Sequence, residues 1–344
     1  MRAPPDDFFA LVTRATDSAV DEADLVAVSG AMTPSQHQVP PESLLLRTAR
    51  DQFGLLARAQ ILALGFSADW IKRRVQRGEL QRVYPGVHLM PAVPPSPEQE
   101  LMAVVLWAGR GVIVSHRSAA VLLGLDGVDD HVVELTVSRA LRPPGPGVIL
   151  HRTHNMPRFD RSLVGPLPVT TAARTLIDIG DQVDEETVEI ALDSALRVGL
   201  TSVPRLQWRL EQFQTRGRRG PAVLINLLGY RAPGEKPAAS AHETRVWRTI
   251  RDSDLPRPVR QHPVRVGRRT RHIDIAYPRR LLGIECHSYK HHSGYLAWEG
   301  DVERDEELRE LGWRILYVTP RQLRRDPSLV VGRIRKALMD SPAQ

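Results

Sequence analysis

Two acids and a run of histidines stand close together in RHIDIAYPRRLLGIECHSYKHH (271–292). Successive side chains of a strand point to opposite faces. Ile273, Ile275 and Tyr277 then share one face of a first strand, with His272, Asp274 and Ala276 on the other. A second strand puts Leu282, Ile284 and Cys286 on one face, with Gly283, Glu285 and His287 opposite. If Pro278–Leu281 is the turn, Tyr277 pairs with Leu282 and Asp274 lies across from Glu285. Directly opposed Cβ atoms are ~4.5–5.5 Å apart, and like charges there destabilise the pair unless something neutralises them. A divalent cation does so, and Mg²⁺ sites are commonly built from one or two carboxylates completed by waters and phosphate oxygens. Asp274 and Glu285 are therefore the expected metal ligands, for Mg²⁺ or alternatively Mn²⁺. A cation there polarises a phosphate and lowers the pKa of an attacking water, chemistry that suits phosphodiester hydrolysis.

The surroundings suit a polyanion. Residues 245–280 contain eleven arginines opposed in sequence only by Asp252, Asp254 and Asp274, a local charge of +8 in a chain of net +7. A smaller cluster, Lys72, Arg73, Arg74, Arg77 and Arg82 against Glu79, adds a local +4. Basic islands on a nearly neutral background are the footprint of nucleic-acid binding, with Arg268, Arg269 and Arg271 beside the acids as expected phosphate contacts. The plainer reading is two solvated faces.

The chain that must position these groups has 344 residues, 42% apolar and 25% charged. At roughly 100–200 residues per domain it divides into two or three. Neither global disorder nor a membrane-spanning segment fits this composition, and the N-terminus lacks the basic flank of a signal peptide. One cysteine, Cys286, excludes an internal disulfide and a four-cysteine zinc site. A cytoplasmic protein is expected.

Residues 1–43 are read as a disordered arm, 44–90 as a helical DNA-binding unit, 98–228 as a mixed α/β domain and 238–344 as a last α/β domain. PAVPPSP (91–97) and GYRAPGEKPAAS (229–240) mark the joints. In the first unit, Ala57–Leu64 reads as a short helix closed by Gly65, and Ser67 as the cap of the next. Phe66 and Ile71 fit a hydrophobic staple. The second helix runs to Arg77 and exposes Lys72, Arg73, Arg74 and Arg77. LQRVYPGVHL then forms two strands about Pro85–Gly86, which makes a wing. Such an arrangement presents a basic helix to a DNA groove. Farther on, ELMAVVLWAG, RSAAVLLGL and ETVEIALDSALRVG read as helices, and VVELTVS and GVILHRT as strands.

The segments ARAQILALGFSADWIKRRVQRGELQRVYPGVH, SHRSAAVLLGL (115–125), VVELTVSR (132–139) and LPVTTAARTLID (167–178) together resemble the AbiEi-type antitoxin and transcriptional-regulator family. The resemblance spans about 46–228. It implies a winged helix followed by an α/β domain, DNA binding, and a toxin partner encoded nearby, without catalysis. Ser115, His116 and Arg117 match a family signature. No acid follows them at the spacing of a triad, so they are read as a helix cap and structural hydrogen bonds.

The order Glu243, Asp274, Glu285-x-His287, His292, Asp301, Arg304, Asp305 and LGWRILYVT (311–319) resembles the very-short-patch-repair-like endonucleases of the PD-(D/E)XK superfamily, over about 238–340. That resemblance implies a mixed sheet flanked by helices and Mg²⁺-dependent cleavage. In it, Asp274 and Glu285 are ligands, Glu243 is a supporting acid, and His292 activates water or protonates the leaving oxygen. The superfamily's last motif residue is usually Lys, and this chain has His287. That histidine either serves as a general acid–base or marks a decayed, inactive site, with Lys290 as a substitute charge. Other readings stand beside these. Ser240 and Glu243 fit a capping box, and Asp301, Arg304 and Asp305 fit an exposed ion-pair face. Cys286 with His287, His291 and His292 offers zinc donors, although adjacent strand residues face opposite ways. The expected whole is a multidomain α/β protein: winged helix, mixed α/β middle domain, and PD-(D/E)XK-like core.

Overall fold

A computed structural model describes residues 40–340 except 130, 139, 154–155, 214–217, 233 and 287–305. The chain is a multidomain mixed α/β protein whose described residues divide into two compact units, those within 40–182 and 200–221, and those within 183–199 and 222–340. No helix among the described residues is long and apolar enough to cross a membrane.

The first unit opens with α1 (Pro41–Asp51), β1 (Leu55–Ala57), α2 (Arg58–Ala63), α3 (Ala68–Gln76), β2 (Gln81–Tyr84) and β3 (Val87–Leu89). The strands form a sheet in the order β1-β3-β2, so helix, strand, two helices and a hairpin follow one another as in a winged helix. Leu45, Ala49, Leu56, Ile61, Ile71 and Leu80 make its core. Ser67 Oγ accepts the Trp70 N–H at 3.1 Å, and Gly65 closes the preceding turn at φ 91°, a left-handed conformation that costs glycine least. Phe66 reaches beyond the expected staple to pack on Trp70, ring centroids 4.4 Å apart and planes tilted by 37°. The proline-rich 91–97 segment is a tether inside this unit. Ser96 caps α4 (Pro97–Ala108), and Gln99 Nε2 donates to the Phe53 carbonyl at 2.8 Å.

The remainder of the first unit is a five-stranded sheet, order β6-β5-β4-β8-β7. Its strands are β4 (Ile113–Val114), β5 (Val133–Val137), β6 (Val148–Arg152), β7 (Arg161–Val164) and β8 (Leu167–Thr170). Pairs β5–β6 and β4–β8 are parallel, while β4–β5 and β7–β8 are antiparallel. Helices α4, α5 (His116–Leu122) and α6 (Ala172–Ile179) contribute its buried apolar side chains, among them Met102, Val104, Ala119, Leu176 and Ile177. Fully burying Met, Val, Leu or Ile side chains contributes ~1.5–3 kcal/mol each.

Helices α7 (Glu185–Arg197), α8 (Val203–Glu211) and α9 (Arg219–Gly229) come next in the chain, α11 (Pro320–Arg325) lies near its end, and the second unit is built on a four-stranded mixed sheet. Its strands β9 (Val259–Val266), β10 (Arg269–Tyr277), β11 (Leu282–Cys286) and β12 (Arg314–Val318) take the order β12-β11-β10-β9. The first three are antiparallel neighbours, and β12 runs parallel to β11. One face packs Ile275, Tyr277, Leu282 and Ile284 against α10 (Ala241–Arg251) and α12 (Pro327–Met339). The other carries Val264, Ile273, Ala276, Leu308 and Trp313. Gly283 sits on that second face, where an added Cβ would lie 2.7 Å from Ile315 Cδ1 and 2.9 Å from Ile273 Cγ2. Helix α7 (Glu185–Arg197), expected within the middle domain, belongs to this second unit.

Candidate functional site

The hairpin register follows from the turn. Tyr277 pairs with Leu282, Ala276 with Gly283 and Ile275 with Ile284. Pro278–Arg280 forms one 3₁₀ turn, and Leu281 completes it at φ 44°. The regular ladder ends at Asp274, whose carboxylate takes the Cys286 backbone N–H at 2.8 Å. Alternation breaks there. Ile273 packs in the layer of Ala276 and Trp313, whereas Ile275 and Tyr277 face the opposite layer, so the expected single face of Ile273, Ile275 and Tyr277 is not formed. A side-chain acceptor in place of a ladder carbonyl lets the strand turn about its own axis at that point.

Glu243, on the first turn of α10, joins this break. Ser240 caps the helix by accepting the Glu243 N–H at 3.2 Å. The reciprocal bond of a capping box is displaced, because Glu243 Oε2 accepts from the Ala239 N–H at 2.6 Å. The other oxygen, Oε1, accepts from Gln261 Nε2 at 3.0 Å, and the same amide donates to Asp274 Oδ1 at 3.2 Å. Gln261 lies opposite Asp274 on β9, between the Ile273↔His262 and Ile275↔Arg260 pairs, at φ 46°. Nothing in the sequence singled it out, since a left-handed residue within a strand leaves no pattern.

Glu243 is 1% exposed and Glu285 6% exposed. Burial pushes the Glu243 carboxyl up to about 8, and the Asp274 charge adds to it against the bonds from Gln261 and Ala239. Burial also pushes the Cys286 thiol well up, helped by the charges of Asp274, Glu243 and Glu285. The charges of Asp274, Glu243 and Glu285 thus all reach Cys286, while the expected pairing of Asp274 with Glu285 lies beyond the last regular pair of the ladder, Ile275 with Ile284. Their hard oxygens are the donor type that Mg²⁺ or Mn²⁺ takes. His287 and His292 lie outside the described residues, as do Lys290, His291, Asp301, Arg304 and Asp305.

A second constellation lies in the first unit, at residues the sequence presented as structural. Among the described residues, His116, Glu134 and His151 are the one set of three His, Cys, Asp or Glu donors lying within 4.8 Å of one another. Glu134, 0% exposed, receives Arg117 Nε at 2.6 Å on one oxygen, and His151 Nε2 at 2.8 Å with Gln182 Nε2 at 2.9 Å on the other. Burial raises its pKa, but the bonds from His151, Gln182 and Arg117 outweigh that and bring it down to about 2. The His116 ring stacks on His151 with centroids 3.5 Å apart. Burial, then the charges of His151, Arg174 and Arg218, push its pKa down to about 3 against the pull of Glu134. Ser115 does not cap α5 with its side chain; its Oγ lies 2.9 Å from His116 Nδ1. The three donors come from separate elements, so only the SHR signature hinted at them.

The two basic islands fare differently. Lys72 and Arg73 are exposed on α3 and Arg77 at its C-cap, and Arg74 is drawn to Glu79 and lies over the Trp70 ring. In the 245–280 stretch, many arginines meet acids from outside it. Arg245 pairs with Glu186, Arg248 with Glu185 and Glu189, and Arg251 with Glu189. Arg260, 4% exposed, meets Asp193, Glu189 and Glu235. Arg257 meets Glu235, and Arg271 meets Glu307 at 2.6 Å. The +8 of the sequence is therefore partly cancelled in space. Exposed Arg268 and Arg269 lie at the β9–β10 turn, while Arg271 is tied to Glu307.

No family model matches the chain. It is 28% identical over 266 residues, 77% of its length and 94% of theirs, to two Mycobacterium tuberculosis proteins, from strains CDC 1551 / Oshkosh and H37Rv. Each is described as an uncharacterized protein.

Proposed function

We propose that this chain is a DNA-binding protein whose second unit hydrolyses phosphodiester bonds with Mg²⁺ or Mn²⁺. One observation carries the reading: Glu243 and Asp274, from a helix and a strand, share the Gln261 amide where the β10–β11 ladder ends, with Glu285 on the neighbouring strand. The Asp274 charge adds to burial in opposing the ionisation of Glu243, an arrangement that recurs where a cation or a proton is to be handled. Asp274 and Glu285 would hold the cation, which supplies charge for the phosphate and an activated water when bound. Glu243 carries a proton near neutral pH and releases it as that positive charge enters, while Gln261 keeps the Glu243 and Asp274 carboxylates in register. Exposed Lys72, Arg73 and Arg77 on and at the end of α3 contact backbone phosphates, with Arg268 and Arg269 of the β9–β10 turn as further contacts. The four-stranded mixed sheet with flanking helices agrees with the resemblance to the PD-(D/E)XK superfamily.

The test is cleavage of plasmid DNA, single-stranded DNA and RNA by the purified full chain, with Mg²⁺, with Mn²⁺ and with chelator. Asp274→Ala is expected to abolish cleavage. A variant that cuts as well as the natural protein removes Asp274 from the chemistry.

A second reading is an AbiEi-type regulator or antitoxin, paired with a nearby toxin, whose nuclease-like unit is inactive. The observation favouring it is that the acids already accept bonds from Cys286, Ala239 and Gln261. Under it, Mn²⁺ leaves the melting temperature unchanged, although a ligand of the native state must raise it. DNA affinity then still falls with salt, at a log–log slope of about −0.9 per phosphate neutralised.

A further inference from the structure

We infer that His116, Glu134 and His151 form a site for a borderline-soft divalent metal of the Zn²⁺ class, separate from the acid cluster of the second unit. Two imidazoles and a carboxylate are donors that Zn²⁺ takes in three-ligand sites, with a fourth position left open. Imidazole nitrogens select it over Mg²⁺, which prefers oxygen alone.

The elements deliver the donors from three directions. Glu134 and Thr136 lie on β5, and His151 is the β6 partner of Thr136 in the parallel ladder. His116 begins α5, which packs over β5. Its backbone sits at φ 54°, where glycine or asparagine would be accommodated more easily. The imidazole therefore stands there at a backbone cost, turned inward and stacked on His151.

The partners around the donors suit ligation. Ser115 Oγ holds His116 Nδ1 at 2.9 Å and receives Thr136 Oγ1 at 2.8 Å. With Nδ1 protonated and bonded to that hydroxyl, the other ring nitrogen presents its lone pair, the way ligating histidines are commonly fixed. Ser118 Oγ accepts the Glu134 N–H at 3.0 Å, and Arg117 anchors one Glu134 oxygen. That leaves Oε2, which takes Gln182 Nε2 at 2.9 Å and is now bonded to His151 Nε2 at 2.8 Å, as the oxygen within reach of the imidazoles.

Metal entry replaces this bond. His151 takes its other tautomer, moving the proton from Nε2 to Nδ1, and Nε2 and Glu134 Oε2 both turn to the cation. The stacked rings must open, and His151, with a side chain 26% exposed against 0% for Glu134, is the one with room to turn. The same exposure gives solvent access to the open position.

The experiment uses the full chain without a polyhistidine tag, stripped with chelator, titrated with Zn²⁺ by calorimetry and with Co²⁺ by visible absorption. One equivalent is expected to bind, with a cobalt spectrum of nitrogen and oxygen ligands and no thiolate charge-transfer band. His151→Ala is expected to weaken binding roughly 100-fold or more, since even outer partners of a metal commonly cost 10–100-fold. His151→Gln, which preserves the hydrogen bond to Glu134, should show the same loss without a change in fold. Asp274→Ala, Cys286→Ser and a His287→Ala, His292→Ala double variant should bind as the natural chain does. Absence of stoichiometric zinc, its survival in both His151 variants, or its loss in any of the second-unit variants overturns the assignment. Cleavage activity plays no part in these readouts, so the nuclease reading and this one fail separately.

Discussion

Glu134 and Glu243 are equally withdrawn from water and ionise in opposite senses. Each is at most 1% exposed, yet one carboxyl is held down at about 2 and the other pushed up to about 8. Burial raises both. The difference lies in the partners, since Glu134 receives a guanidinium, an imidazole and an amide. Glu243 receives one backbone N–H and one amide, and faces Asp274. A buried acid is thus an ionised anchor where its neighbours are cationic donors, and a proton reservoir where its neighbour is another acid.

The largest test of this contrast is to remove the anchor. Glu134→Ala strands Arg117 and His151 without their acceptor and is expected to cost about 3–5 kcal/mol in chemical denaturation, as breaking a buried ion pair does. A loss below about 1 kcal/mol would make Glu134 no more than a surface-type partner.

Next comes the pH response of Glu243. Its folded pKa lies above its unfolded one, so between about 4.5 and about 8 the native state binds more protons than the unfolded chain. Its contribution to stability therefore declines as pH rises through that window. Glu243→Gln should abolish the decline and stabilise the protein near pH 8 by about 2–4 kcal/mol, read from melting curves across pH. A variant with the pH profile of the natural chain would mean that Glu243 ionises freely. Glu134 behaves oppositely: its folded pKa is depressed, so its contribution is present above about 4.5 and lost as pH falls toward about 2.

A smaller effect is expected from divalent cations. Saturating Mn²⁺ at about 100 times its dissociation constant should stabilise the second unit by about 2.7 kcal/mol. The gain should vanish in Asp274→Ala and persist in His151→Ala. Smallest is the cap of α10, where Ser240→Ala should cost about 1 kcal/mol in stability. Ser67→Ala, at the equivalent position of α3, should cost about the same while leaving any cation response intact.

Much of the local structure was legible in the sequence. Turn length fixed the hairpin register, and the capped basic helix with its wing followed from Gly65, Ser67 and Gly86. Strand β1 was missed because three residues are too few to display alternation. The break at Asp274 was hidden because a side chain satisfies a backbone N–H there, and pattern rules assume the ladder does. The arginine-rich stretch read as far more cationic than it is in space, because Glu185, Glu186, Glu189 and Asp193 come from a helix some sixty residues earlier. The His116 constellation required knowing that β6 runs beside β5, which no local signal announces.

Helix α7 has a practical consequence for anyone dissecting the molecule. A fragment starting at residue 238 would retain the whole four-stranded sheet yet leave behind the acids that meet Arg248, Arg251 and Arg260. Arg260, packed over Trp247, would lose Asp193, Glu189 and Glu235, and Arg248 and Arg251 would be left to share Asp252, in a cut that looks harmless on a sequence diagram. Since the chain leaves the first unit for α7, returns, and leaves again, neither half is a cassette that a single splice can move. Recombination of the two must carry the intervening helix along or rebuild its charge elsewhere.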